Sequence, residues 1–146
     1  MNTDDTKAAG ARALAIDPGE RRSGLALSDE LGITAQGLET FEGGGPDELV
    51  LRVAALVSEH GIAEVVVGMP LSMSGGELEG TRRSRELAAR IERECGVAVV
   101  LRDERMTSRE AERIIAQAGG IRRAGDIDRV AAVLLLQGYL EERSRR

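Results

Sequence analysis

The chain has 146 residues, about the length of one domain, and its hydrophobic fraction of 42% is enough to form a packed core. Its formal net charge of −5 gives no overall electrostatic case for nucleic acid, and its one lysine lies in the polar N-terminal segment. No lysine therefore remains for a phosphate-binding loop or a Schiff base, and one histidine with one cysteine excludes an intrachain disulfide and a zinc-ligand set.

Two further classes of protein are disfavoured by composition. The only aromatic residues are Phe41 and Tyr139, which argues against a single-strand binder that stacks bases on exposed rings. There is neither a signal peptide nor an apolar run of transmembrane length, so a cytoplasmic protein is expected. Chemistry by carboxylates and a metal ion is the most available option that remains.

Residues 1–11 are polar, small and charged and predict a disordered leader, followed by a single domain over residues 12–143. Apolar runs and alternation predict five strands, and helical spacing with capping signals predicts four helices. The predicted strands are 13–17, 24–28, 36–42, 64–68 and 97–101; the predicted helices are 46–60, 82–94, 108–118 and about 126–142.

This order is βββαβαβαα, which indicates an α/β fold. Three strands with short connections predict an antiparallel meander, and two later strands with helical crossovers predict parallel additions. Val65, Val66 and Val67 form a run that is typical of a parallel strand buried on both faces. The expected architecture is a five-stranded mixed sheet, three strands antiparallel and two parallel, with helices on both faces.

Three acidic residues lie where a predicted strand ends or a predicted helix begins. Asp17 closes the first strand, Glu104 follows the fifth, and Asp128 opens the last helix. If the strands are neighbours and the helix packs across them, the three carboxylates converge, and such a group repels itself unless a hard cation such as Mg²⁺ or Mn²⁺ lies between its members. Carboxylate-held metal pairs cleave phosphodiesters, so the pattern predicts a metal-dependent nuclease.

Each acid also has an ordinary structural explanation. Asp17 before Pro18-Gly19 could begin a turn, and Asp128 could complement the helix dipole. Asp103 and Glu104 point to opposite faces of a strand end, so one of them at most can share a site with Asp17, and Glu104 is our choice. Gly19 and Gly24 would let the backbone approach a ligand closely.

Four arginines are candidate phosphate contacts because they lie near these acids in the expected fold. They are Arg22, Arg105, Arg122 and Arg123. The loop 72–80 follows a parallel strand and could form a rim beside a substrate, or be an ordinary crossover. The arginines that alternate with glutamates over 82–94 are typical of a solvated helix face.

Four stretches of the chain form a recognisable set: IDPGERRSGLALSD (16–29), VVVGMPLSMSGGELEG (65–80), DERMTSREAE (103–112) and DIDRVAAVLLLQGYL (126–140). Together they resemble the YqgF (RuvX-type) family of RNase H-like proteins, which are also called Holliday junction resolvase-like proteins and pre-16S rRNA nucleases. The resemblance implies an RNase H-like fold, a divalent-metal site of Asp17, Glu104 and Asp128, and trimming of the 5′ end of precursor 16S rRNA. Arginines stand at 122–123 where relatives often carry lysines, and Ser72 stands where an asparagine is expected.

The resulting hypothesis is phosphodiester hydrolysis with two Mg²⁺ or Mn²⁺ ions, bridged by Asp17 and each held by one of the other two acids. Precursor 16S rRNA, within a ribosomal precursor particle, is the favoured substrate, and branched DNA cut by a homodimeric resolvase is the alternative. A non-catalytic RNA-binding assembly factor stays open. A phosphotransferase of the actin and sugar-kinase type is disfavoured because it needs two domains and a cleft. The sequence leaves open whether the protein is a monomer or a homodimer.

Overall fold

The computed structural model describes residues 11–43, 45–104, 113–114, 116–117 and 126–146. Five strands and three helices have defined bounds within these ranges. The strands are β1 Ala13–Asp17, β2 Arg22–Ser28, β3 Ala35–Glu42, β4 Glu64–Met69 and β5 Ala98–Asp103; the helices are α1 Pro46–His60, α2 Glu79–Cys95 and α3 Asp126–Ser144.

The strands form one mixed sheet in the order β3-β2-β1-β4-β5. The β1–β2 and β2–β3 pairs are antiparallel, whereas β1–β4 and β4–β5 are parallel. The predicted mixed sheet is confirmed. In the parts of the chain that the structure describes, no helix has the length and apolar character needed to cross a membrane.

Each face of the sheet carries its own apolar core, because successive strand residues point to opposite faces. Leu14 and Ile16 pack with α1 and α2, while Ala13 and Ala15 pack with α3. The α3 face is lined by alanines on both partners, since Ala132 of the helix is fully buried there too. Small side chains on both surfaces let α3 approach the sheet closely, and this closeness positions the candidate site.

Several predicted boundaries shift by a few residues. The second helix begins at Glu79 rather than Arg82, because the buried Thr81 hydroxyl accepts from the Leu78 amide at 2.8 Å and donates to the Pro70 carbonyl. Strand β5 extends to Asp103, which brings Glu104 directly to the strand end. Residues 1–10 of the predicted leader 1–11, and most of the predicted helix 108–118, lie outside the described residues.

A buried polar network fastens the end of α3 to the start of β4. The Tyr139 hydroxyl donates to Glu64 at 2.9 Å, and Arg143 donates to the same carboxylate. Arg143 also donates to the carbonyls of Ala11 at 3.0 Å and Gly32 at 3.2 Å. Breaking one partner of a buried ion pair costs about 3–5 kcal/mol, so this network holds the helix that carries Asp128.

Tyr139 should titrate well above an ordinary tyrosine. Burial, with the hydrogen bond to Glu64, raises the pKa of Tyr139 to about 12. Because this folded-state pKa lies above the unfolded value of about 10, the network's contribution to stability is complete below pH ~10 and is lost as the pH rises toward ~12. Phenolate absorbance reads this directly, since the chain has one tyrosine and no tryptophan. Titration at pH ~10 in the folded protein would contradict the network.

Candidate active site

Asp17 and Glu104 meet at one edge of the sheet because their strands flank β4 in parallel. Asp17 follows Ile16, which is in register with Val67, and Glu104 follows Asp103, which is in register with Met69. Both side chains are half-buried, and their carboxyl groups are hydrogen-bonded to each other. Two of the three acids predicted to converge, Asp17 and Glu104, therefore meet in the structure.

Burial and proximity favour a proton on this pair. Burial raises the pKa of Glu104, and its hydrogen bond to the Asp17 carboxylate raises it further. Burial also raises the pKa of Asp17; the hydrogen bond to Glu104 opposes this increase, and the charge of Asp128 adds to it. The bond between the two carboxyl groups requires a proton on one of them, and a divalent cation could take the place of that proton.

Asp128 reaches the same place from the first turn of α3. Its side chain is 27% exposed and accepts a hydrogen bond from Nε of Arg22 at 3.2 Å. Arg22 lies on β2, and its Nη1 is 4.0 Å from the exposed Glu42. Arg22 therefore neutralises the third acid and leaves part of its guanidinium facing solvent.

A complete set of three close acidic, histidine or cysteine side chains for a metal is absent from the residues that the structure describes. The donor chemistry nevertheless fits a hard cation, because Asp17 and Glu104 offer only oxygen atoms as ligands. Asp128 is close enough for its charge to act on Asp17. The donor types suit Mg²⁺ or Mn²⁺, which Asp17 and Glu104 would hold as a pair with Asp128 near them.

Two glycines shape this site, and sequence reasoning misjudged one and overlooked the other. Gly24 was predicted to let a ligand approach. A Cβ on Gly24 would lie 1.9 Å from the Asp128 carbonyl oxygen, so the absence of a side chain there makes room for the backbone of α3 instead. A Cβ on Gly68 would lie 2.4 Å from Oε2 of Glu104, so Gly68 provides the space for that side chain. A glycine at the carboxyl end of a parallel strand was the available signal for Gly68.

The remaining predicted site residues divide into two groups. Arg105, Arg122 and Arg123 lie outside the described residues. The rim loop is closed on itself: Leu71 bridges to Glu77, and the Ser72 hydroxyl accepts from the Gly76 amide at 2.9 Å. Its contact with a substrate stays a prediction.

The family model described as "RuvX: Holliday junction resolvase" matches residues 11–142. A Koribacter versatilis protein named "Putative pre-16S rRNA nuclease" is 43% identical over 134 residues, which are 90% of this chain and 88% of the relative. A Dictyoglomus thermophilum protein of the same name is 41% identical over 135 residues, 91% of this chain and 97% of its own.

Solved structures agree on the fold. T. thermophilus RuvC in complex with a Holliday junction substrate superimposes with a TM-score of 0.60 at 18% identity, covering 90% of this chain and 94% of that one. The Fowlpox virus resolvase in its Holliday junction complex superimposes with a TM-score of 0.57 at 12% identity, covering 90% and 97%. The likeness at these identities concerns the RNase H-like arrangement of sheet and helices.

Proposed function

The chain belongs to the RuvX family of Holliday junction resolvases, and we propose that it is a divalent-metal-dependent endonuclease that acts on precursor 16S rRNA. As a member of this family it is a nuclease, and therefore a hydrolase. The observation that carries the mechanism is the hydrogen-bonded pair of Asp17 and Glu104 with Asp128 beside it.

Asp17 and Glu104 would hold the cation from the sheet, and Asp128 would complete its ligands from α3. Bound there, Mg²⁺ or Mn²⁺ would lower the pKa of the attacking water and offset the charge that develops on the phosphate. Asp17 would contribute to holding both ions of a pair, and such a pair would supply stabilisation for the attacking and the leaving oxygen alike.

Arg22 would position the substrate backbone. Its Nε donates to Asp128 at 3.2 Å, while among the described residues its Nη groups have only the 4.0 Å pairing with exposed Glu42. A guanidinium anchored through one nitrogen can still present the others to a phosphate oxygen as charge-assisted donors. Arg105, Arg122 and Arg123 are proposed as further phosphate contacts on sequence grounds.

The names of the relatives favour RNA over DNA. Curated relatives that are 36–43% identical to this chain carry the pre-16S rRNA nuclease name. The description of the family keeps a DNA junction as the second candidate. The proposal places the protein in the cytoplasm with the ribosomal precursor particle as its partner. A monomer suffices for single-strand cleavage, whereas paired cuts in a junction require a symmetric homodimer.

Cleavage of two labelled substrates tests this choice. An RNA that spans the 5′ boundary of 16S rRNA and a four-way DNA junction are each incubated with Mg²⁺, with Mn²⁺ and with a chelator. We expect cation-dependent cleavage of the RNA alone. If the junction received paired cuts while the RNA stayed intact, the substrate would be branched DNA and not RNA. Tight RNA binding that needs no metal, without cleavage, would indicate an assembly factor.

A further inference from the structure

A second concave site lies on the opposite face of the sheet from the three acids. It is a cavity of about 370 Å³ between the β1–β2 turn, the end of β3 and the beginnings of α1 and α2. Its volume falls within the range of about 300–1,000 Å³ that is usual for small-ligand sites. The acids and the arginine bonded to them do not line it.

The floor of the cavity is apolar. Leu49 and Leu87 are buried beneath it, and Phe41, one of the two aromatic residues of the chain, lines it together with Pro18 and Pro46. Rings and flat apolar walls are the surfaces on which proteins hold the π-face of an unstacked nucleobase.

A serine hydroxyl lies in the wall. Ser23 is 4% exposed and lines the cavity. A hydroxyl can both donate to and accept from an occupant, so this side chain offers a polar contact in an otherwise apolar wall.

The rim carries positive charge. Arg21 is exposed and forms no ion pair with a described carboxylate, and Arg83 has only the exposed Glu20, at 3.5 Å. Exposed ion pairs of this kind contribute about 0–1 kcal/mol, so Arg83 can exchange Glu20 for a phosphate at little cost. Glu86 also lines the cavity, which disfavours a bare anion and favours a ligand held mainly by its base.

The β1–β2 turn connects the cavity to the acids. Pro18 and Gly19, which line the cavity, directly follow Asp17, and two residues of chain span at most about 7 Å. We propose that this cavity binds one unstacked nucleotide of the substrate strand, next to the phosphate that is cleaved. That the nucleotide belongs to a substrate strand rests on the proposed function. That the ligand is a nucleotide is inferred from the residues of the cavity.

Methyl NMR in cation-free buffer tests the site without cleavage. Adenosine and uridine 5′-monophosphate should shift the methyl signals of Leu49 and Leu87. The signals of Leu135, in the core on the other face of the sheet, should not move. Ribose 5-phosphate, which lacks a base, should leave the signals of all three leucines unchanged. Removing the hydroxyl in Ser23→Ala should weaken nucleotide binding about 3- to 10-fold at an unchanged melting temperature. Absence of shifts at Leu49 and Leu87 would overturn the assignment.

Adjacent arginines of α2 supply a matched pair of variants. Arg83→Ala should weaken nucleotide binding several-fold, whereas Arg82→Ala should not, because Arg82 is 86% exposed and lies outside the cavity. Equal effects of the two would indicate non-specific charge and contradict the site.

Binding of a short single-stranded RNA, with one abasic position moved along it, decides whether the nucleotide belongs to the strand. One position should cost about 5-fold or more in affinity, and Ser23→Ala should reduce that cost. Nucleotide shifts without any abasic effect would overturn the strand assignment and indicate a free nucleotide. Since both readouts are binding, lack of cleavage would count against the proposed function and not against this site.

Discussion

Replacing Asp17 with asparagine is expected to lower cleavage by about 10³-fold or more while the folded protein becomes equally or more stable. Asp17 is the acid whose side chain contacts Glu104 and feels the charge of Asp128. Asparagine keeps the shape but loses the charge that would hold a cation. It also removes a half-buried charge that burial and the nearby Asp128 disfavour, and its amide can hydrogen-bond to Glu104, so the free energy of unfolding should rise by up to about 1 kcal/mol.

The same substitution at Asp29 is the control. Asp29 lies in the β2–β3 turn, where its Oδ1 accepts from the amides of Ile33 at 2.7 Å and Thr34 at 3.0 Å. Asp29→Asn should leave cleavage unchanged and lower stability slightly, because the backbone donors stabilise a charged carboxylate there. If Asp17→Asn cleaved like the wild type, Asp17 would have no part in catalysis.

Gly24→Ala is expected to damage both stability and cleavage. The added Cβ would lie 1.9 Å from the Asp128 carbonyl oxygen and 2.9 Å from the Arg129 amide nitrogen, and both contacts are with backbone that cannot rotate away. The first turn of α3 must therefore move away from β2, and Asp128 moves away from Asp17 with it. Overpacking of this kind costs about 1–3 kcal/mol of unfolding free energy, and a misplacement of about 1 Å costs roughly 10²-fold in rate.

Gly138 lies in α3, and Gly138→Ala is the control for the glycine-to-alanine change itself. The nearest atom that its Cβ would meet among the described residues is Nη2 of Arg102, 3.0 Å away at the end of a flexible side chain. Alanine is the better helix former by about 1 kcal/mol, so this variant should be as stable as the wild type or more so, with full activity. A Gly24→Ala protein with normal kinetics would show that the approach of α3 to β2 does not position Asp128.

Local patterns in the sequence were sufficient to predict the sheet and the pairing of two acids. The run of three valines in β4 is buried on both faces, as a central parallel strand requires. Asp17 and Glu104 each end a strand that flanks β4, and parallel strands bring their carboxyl ends to one edge. Such inferences succeed because strand direction and residue alternation are properties of short segments.

Features that depend on packing between distant segments were not predictable in the same way. The Arg22–Asp128 bond joins residues 106 positions apart and exists because α3 crosses β2. The role of Gly24 follows from that crossing as well, since a glycine's sequence neighbours do not reveal which backbone will approach it. The cavity beside Phe41 depends on how α1 and α2 splay at the β1–β2 turn.

Binding of Mn²⁺ measured by calorimetry, on the wild type and on Asp17→Asn, tests the central claim most directly, because it asks whether the three acids form a cation site without reference to any substrate. The wild type should bind Mn²⁺ and gain about 2.7 kcal/mol of unfolding free energy at a concentration 100 times the dissociation constant. Asp17→Asn should lose both effects. A wild type that binds no Mn²⁺, or an Asp17→Asn protein that binds it equally well, would contradict the assignment of Asp17, Glu104 and Asp128 as the metal-dependent active site.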